Sequence, residues 1–324
     1  MEAERILLVR TGGLGDSVLM WPAVSALRRR FGRAEIDLMG HASRLQTLVV
    51  PGGADRACDV EGSGLHRFYE LEADLPAEVA ARFNTYSVVV AFTAPGDHTL
   101  AENLSACGVR EVHAFLPFPP PGARIHAAEH VRQALIEVGL AERGPVPVLP
   151  VSDGELRSAQ AHLARAGCDR GSLALLAPGS GSPAKNWPAA HFARLAERLL
   201  ARDLQVGLLQ GPADERAVAA LQAELDSALP VLADASPVLL KGLCASAALL
   251  VGNDAGPCHL AALLGTPTVA IFSRTDPAIW HPLGPAAGWL GPEPEGVVSV
   301  QAAWDACQRY FELDLDSAPH RRLS

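Results

Sequence analysis

Lysine is almost missing from this chain. Of 27 basic residues in 324, only Lys185 and Lys241 are lysine. Cysteine is sparse and scattered: residues 58, 107, 168, 244, 258 and 307 form no CxxC and no zinc-type spacing. That excludes a zinc module or a disulfide framework and fits reduced thiols of the cytosol. No apolar run approaches the roughly 18 residues that would span a bilayer, so no transmembrane segment is expected. An excess of positive charge is lacking too. The net charge of −9 speaks against nucleic acid as a partner. The opening MEAERILLVR is acidic and enters a strand at once, which reads as no secretory leader and a cytoplasmic protein.

What is present is an ordinary globular composition, 49% hydrophobic and 19% charged, long enough for two domains of about 150 residues. Over residues 1–152, 14 arginines against 18 acidic residues leave −4. The run Arg28-Arg29-Arg30, with Arg33, is therefore a local basic cluster. A solvated helix face is its plainer reading, anionic lipid or substrate the sharper one.

Apolar runs alternate with helical spacing along the whole chain. In the first half, strands are expected at 5–10, 36–39 and 86–92, with minor strands at 57–60 and 66–70. Helices are expected at 18–31, 42–50, 76–83 and 126–138. The proline-rich stretch Gly144 to Pro150 reads as a hinge. Beyond it a second series runs with strands at 173–176, 206–209, 231–232, 247–251 and 268–272. Helices fall at 153–166, 189–200, 213–225, 239–243, about 259–264 and 302–311. Two such series predict two doubly wound α/β domains, 1–150 and 151–324, whose strand-end loops face each other across an interdomain cleft. The last helix, about 302–313, is a candidate to pack back on the first domain.

Four strand-end loops could carry chemistry. Thr11-Gly12-Gly13-Leu14-Gly15-Asp16 follows the first strand with GGxG spacing rather than the GxGxxG of a dinucleotide fold, and Asp16 falls where a helix N-cap belongs. On the residues alone capping outranks catalysis there. Gly179-Ser180-Gly181-Ser182 leads to Lys185 without the Walker A spacing. It still offers hydroxyls, backbone N–H groups and one ammonium before a helix, the parts a diphosphate needs. Gln210-Gly211 with Asp214 and Glu215 offers a carboxylate for ribose hydroxyls, although acidic residues in a first helical turn are common. Asn253-Asp254-Ala255-Gly256-Pro257 with His259 opens a helix. Capping by Asn253 or Asp254, and a packed His259, are the bland readings of that loop.

Taken in order, ILLVRTGGLGDSVLMWPAVSALRRRF, LLAPGSGSPAKNWPAAHFARLAERL, LLQGPADERA and VGNDAGPCHLAALLGTPTVAIFSRTDP resemble glycosyltransferase family 9, the heptosyltransferases of the lipopolysaccharide core. The resemblance runs from about residue 4 to about residue 285 and is thinnest over 91–124. It implies a GT-B fold of two facing Rossmann-like domains. The first would take a glycan or glycolipid acceptor against the 11–15 loop, at the inner membrane surface. The second would take a nucleotide-sugar such as ADP-heptose. It also implies inverting transfer with no metal or other cofactor. By matching position, Asp16 becomes the base and Lys185 the cation at the diphosphate. Asp254 and His259 fall at donor sugar and phosphate, Asp214 or Glu215 at the nucleoside, and Thr275 and Asp276 near the donor.

The one DxD, Asp314-Leu315-Asp316, lies in the tail, away from any donor loop. Ala255 stands where many members carry Thr or Ser, and Arg274 where proline is usual. The segment AFTAPGDHTLAENL lacks the basic pattern expected opposite anionic Kdo sugars. A later core sugar, another polysaccharide or a glycoprotein therefore fits as acceptor. Two other classes remain open: a nucleotide-sugar-binding protein without transfer, and a GT-B epimerase or hydrolase acting on the donor alone.

Overall fold

A computed structural model describes residues 5–71, 73–93, 98–168, 172–292 and 296–317, with 312–317 described by backbone alone. The chain divides into two compact units that meet at Pro150–Val151. Residues 94–97, within the segment AFTAPGDHTLAENL, lie outside the described residues, as does the end of the tail.

The first unit is a five-stranded parallel sheet. Its strands are β1 (Arg5–Arg10), β2 (Glu35–Gly40), β3 (Arg56–Asp59), β4 (Val88–Phe92) and β5 (Glu111–Phe115), in the order β3-β2-β1-β4-β5. β1 and β4 are apolar and buried almost throughout, as strands covered on both faces must be. On one face Leu7, Val9, Val89 and Ala91 pack against Phe68, Phe83, Leu100 and Leu104. The order reverses between β1 and β4, so the loop after β1 opens at the switch point where such sheets bind ligands.

Several expectations for this unit are corrected. The single helix at 18–31 is two, Leu14–Val18 and Trp21–Arg30, because Pro22 has no N–H to continue the first and is preorganised to start the second. Residues 65–69 form a 3-10 helix instead of a strand. Gly64 turns the chain at φ +82°, and Leu65 and Phe68, three apart, then point into the core together. The helix His98–Ala106 and β5 went unread from the sequence. The expected hinge is pinned: the Trp21 indole donates to Pro147 O at 2.6 Å and Arg132 to Gly144 O at 2.8 Å.

The second unit is a six-stranded parallel sheet. Its strands are β6 (Leu173–Ala177), β7 (Gln205–Gln210), β8 (Val231–Ala233), β9 (Leu249–Asn253), β10 (Thr268–Ile271) and β11 (Ala287–Leu290), ordered β11-β10-β9-β6-β7-β8. β11, unread from the sequence, extends it. One face is covered by Phe192, Leu195 and Leu199 of the helix Ala189–Leu200 and by Ala303, Ala306 and Cys307 of the last helix. That last helix, Val300–Ser317, thus packs on its own unit. The other face is covered from the helices Asp153–Arg165 and Pro237–Ser246.

Lys241 belongs to this core. Fully buried, its ammonium lies 3.0 Å from Oε1 of Glu155, which closes a capping box with Ser152. Burial lowers the Lys241 pKa, and the Glu155 carboxylate opposes that shift. Next to it Gly242 approaches Glu155 O so closely that a Cβ would sit 2.4 Å away, so the two helices pack backbone to backbone.

Candidate functional site

In the first unit the site begins where β1 ends. Gly12 holds φ +141°, a conformation L side chains rarely adopt, and a Cβ there would lie 2.6 Å from Oδ2 of Asp16. The turn it makes presents the N–H of Gly13 to that same oxygen at 2.8 Å. Asp16 is therefore the third residue of the helix Leu14–Val18 rather than its N-cap, a place Gly13 takes, and its carboxylate reaches back to the cap. The expected N-cap is corrected by three positions, from Asp16 back to Gly13. Arg44 ties the loop down by donating to Gly12 O.

The remaining carboxylate oxygen, Oδ1, lies 3.8 Å from NH2 of Arg10. Sequence reading passed Arg10 over, although a charge closing an otherwise apolar buried strand needs a partner. The guanidinium is buried, donates to Pro117 O and lies over Phe118 at 5.1 Å and Phe92 at 6.0 Å. Its Nε has no hydrogen-bond partner among the described residues. Burial lowers the Arg10 pKa and Asp16 pushes it back up. Asp16 itself keeps 23% of its side chain exposed.

In the second unit three neighbouring strands, β10, β9 and β6, deliver their loops to one edge of the sheet. Asn253, the last residue of β9 and wholly buried, organises them. Its amide donates to Pro178 O at 2.7 Å and accepts from Trp187 N at 2.8 Å, holding both ends of the loop after β6. Trp187 is buried in turn, with its indole on Val298 O at 2.7 Å and its ring edge-on to Phe192. Within the loop the Ser180 hydroxyl is 2.7 Å from Ser182 O and 2.7 Å from Oδ1 of Asn186. Pro183–Lys185 makes a single 3-10 turn that raises Lys185 over the edge.

There Lys185 Nζ meets Oδ2 of Asp254 at 2.8 Å. The Thr275 hydroxyl, from the loop after β10, donates to the same oxygen at 2.6 Å. His259 Nε2 stands 3.4 Å from Oδ1, and its buried Nδ1 has no hydrogen-bond partner among the described residues. Burial alone would raise the Asp254 pKa. Hydrogen bonds from His259, Lys185 and Thr275 outweigh it and hold the carboxyl at about 2. Asn253 and Asp254 thus do not cap the following helix, Gly256–Leu263, as expected. Ala255 takes the N-cap position with no side chain to cap it, and Pro257 stands in the first turn. An uncapped helix start beside an ammonium is suited to an anion.

Asp214 lies one strand over, in the loop after β7. Its Oδ2 accepts from Gly211 N at 2.9 Å, and its Oδ1 lies where a Cβ on Gly179 would sit. The structure therefore brings Gly179 and Gly211 together under Asp214, with Gln210 ending β7, while Glu215 opens the helix beyond and is exposed. Asp276 caps the short helix Pro277–Trp280 through Ala278 N at 2.9 Å. Among the described residues no group of three or more His, Cys, Asp or Glu is spaced to hold a metal ion.

Residues 124–297, more than half of the chain, match the sequence profile of glycosyltransferase family 9 (heptosyltransferase). The chain belongs to that family. Lipopolysaccharide heptosyltransferase 2 of Escherichia coli (strain K12) is 30% identical over 185 residues, 55% of this chain and 51% of that one. The chain thus spans about half the length of the curated relatives it matches. Two solved structures share the fold of this family 9 chain. The family 9 glycosyl transferase of Veillonella parvula has TM-score 0.76 at 20% identity, covering 97% of this chain and 98% of that one. E. coli ADP-heptose lipopolysaccharide heptosyltransferase II has TM-score 0.75 at 19% identity, covering 96% and 99%. The two doubly wound parallel sheets are those of the GT-B class.

Proposed function

We propose that this family 9 chain is an inverting, metal-independent glycosyltransferase that moves heptose, or a related sugar, from ADP-heptose or a similar nucleotide-sugar to a lipopolysaccharide-core or other glycan acceptor. The observation that carries the reading is the Lys185–Asp254–Thr275 cluster beside the uncapped helix start at Gly256. It supplies a cation, a hydroxyl, a fixed carboxylate and free backbone donors at one sheet edge. Those groups suit a sugar joined to a diphosphate. The names of the relatives make heptose and ADP the first donor to try.

The chemistry follows from charge. Asp16 takes the proton from an acceptor hydroxyl, and that oxygen bonds to the anomeric carbon as the bond to the diphosphate breaks on the opposite face. The electron pair leaves on the diphosphate, where Lys185 and the N–H groups of the 179–182 and 255–257 loops neutralise it. Asp254 accepts from donor-sugar hydroxyls and His259 faces sugar or phosphate. Asp214 and Gln210 face the nucleoside. The acceptor lies against Thr11 to Gly15. The enzyme works in the cytoplasm and meets its acceptor at the inner membrane face.

A thermal-shift screen of ADP-, UDP-, GDP- and CMP-sugars tests the donor assignment, since a ligand of the native state raises Tm. ADP-heptose should give the largest rise. No rise with any of the four would remove the donor site. Donor consumed without an acceptor present would point to a hydrolase or epimerase instead.

A further inference from the structure

The helix Trp21–Arg30 runs back from the Asp16 loop to the opposite edge of the first sheet. Arg28 shows where it ends: it donates to Ala34 O and pairs with Asp55, which accepts from Ile36 N at the start of β2. Arg28 therefore spends its charge inside the fold. Its neighbours do not. Arg29, Arg30 and Arg143 line a cavity of about 200 Å³ together with Ala26 and Glu142. All three arginines are exposed. The one carboxylate present, Glu142, is 3.9 Å from Arg30 and 82% exposed. Three guanidiniums and one carboxylate leave the cavity at +2 on a unit whose balance is −4.

Directly after Arg143 the chain turns two valines outward. Val146 is 40% and Val148 50% exposed. The segment carrying them is fixed to the start of the same helix by the Trp21–Pro147 hydrogen bond and to the helix Ala127–Glu137 by the Arg132–Gly144 bond. A dissolved phosphate gains nothing from exposed valines. A bilayer with anionic headgroups uses both features: arginine forks for phosphate oxygens and aliphatic groups for the interface.

We propose that Arg29, Arg30 and Arg143, with Val146 and Val148, form a docking surface for an anionic phospholipid bilayer. Its arginines lie at the far end of the helix Trp21–Arg30 from the Asp16 loop, and its valines flank Pro147 beside Trp21 at the start. It takes up none of residues 11–16, so it anchors the protein without occupying the transfer site. It rests on these residues alone, and its test needs no turnover.

The full chain is floated with vesicles of phosphatidylglycerol and phosphatidylethanolamine in equal parts, and with phosphatidylcholine alone. Binding to the anionic vesicles, weakening as salt is raised, is expected. R29Q/R30Q/R143Q should lose about 100-fold, at about fivefold per arginine. V146D/V148D should lose binding as well, and both variants should keep the parent's Tm and ADP affinity. The proposal is overturned if the parent ignores anionic vesicles, binds phosphatidylcholine equally well, or is matched by the triple variant. It is also overturned if inorganic phosphate displaces the vesicles where sodium chloride at the same ionic strength does not, which would make this a soluble-phosphate site. If the triple variant does not fold, R143Q alone should lose about fivefold, and no loss overturns the proposal. Vesicle binding by a chain that transfers nothing would sink the transferase reading and leave this one standing.

Discussion

Lys185 and Asp254, 69 positions apart, meet at 2.8 Å because one buried amide, Asn253, fastens both ends of the loop that carries the lysine. The pair is the meeting point of three strand-end loops, and each loop can be tested separately.

Lys185→Met should weaken ADP binding by roughly 10- to 100-fold, the worth of one charge-assisted hydrogen bond to phosphate. Calorimetric titration with ADP reads it directly. An unaltered affinity would take Lys185 out of the diphosphate site.

Asn253→Ala should cost at least about 2 kcal/mol, because Trp187 N–H and Pro178 C=O would both be buried without partners. Denaturant unfolding measures the loss. ADP affinity should fall with it, since the 178–187 loop no longer holds Lys185 in place. A variant as stable as the parent would contradict the role given to this amide.

Acid should destabilise the second unit through Asp254. Its folded pKa, about 2, is depressed from an ordinary 3.8, so the stabilisation is full above pH 4 and is lost as pH falls toward 2. The shift corresponds to about 2 kcal/mol. Asp254→Asn should have an unfolding free energy lower than the parent's by about that amount near neutral pH and show a flatter decline below pH 4. Equal acid slopes for the two proteins would contradict the network.

Gly12→Ala probes the other loop. A Cβ there lies 2.6 Å from Oδ2 of Asp16 and adopts φ +141°, so the carboxylate must move. Turnover should fall about 10²-fold, the usual cost of a displacement near 1 Å, with ADP affinity unchanged. Loss of ADP binding, or full turnover, would show that the Gly12 turn does not aim this base.

Much of this was readable from residue order. Buried apolar runs with helical spacing between them marked the strands of both sheets except the edge strands β5 and β11, and glycine marked every loop of the site but the one that carries Thr275. Lysine scarcity singled out two residues, and they divide: Lys241 is buried against Glu155, while Lys185 rises over the sheet edge. Less legible was anything decided by partners distant in sequence. Asn253 and Asp254 look like helix caps until Trp187, Pro178, Lys185 and Thr275 come within reach of them. Arg10 drew no notice because its counterparts, Pro117 O and the Phe92 and Phe118 rings, lie about a hundred residues or so along the chain. Local propensity also missed Pro22, which splits one amphipathic pattern into two helices.

Transfer by Asp16→Asn, compared with the parent using ADP-heptose and truncated core lipopolysaccharide, tests the central claim most directly when ADP affinity is measured on the same samples. A general base predicts turnover lowered by about 10²- to 10⁴-fold with ADP affinity within twofold of the parent, roughly the error of such a comparison. Turnover equal to the parent's would contradict the account.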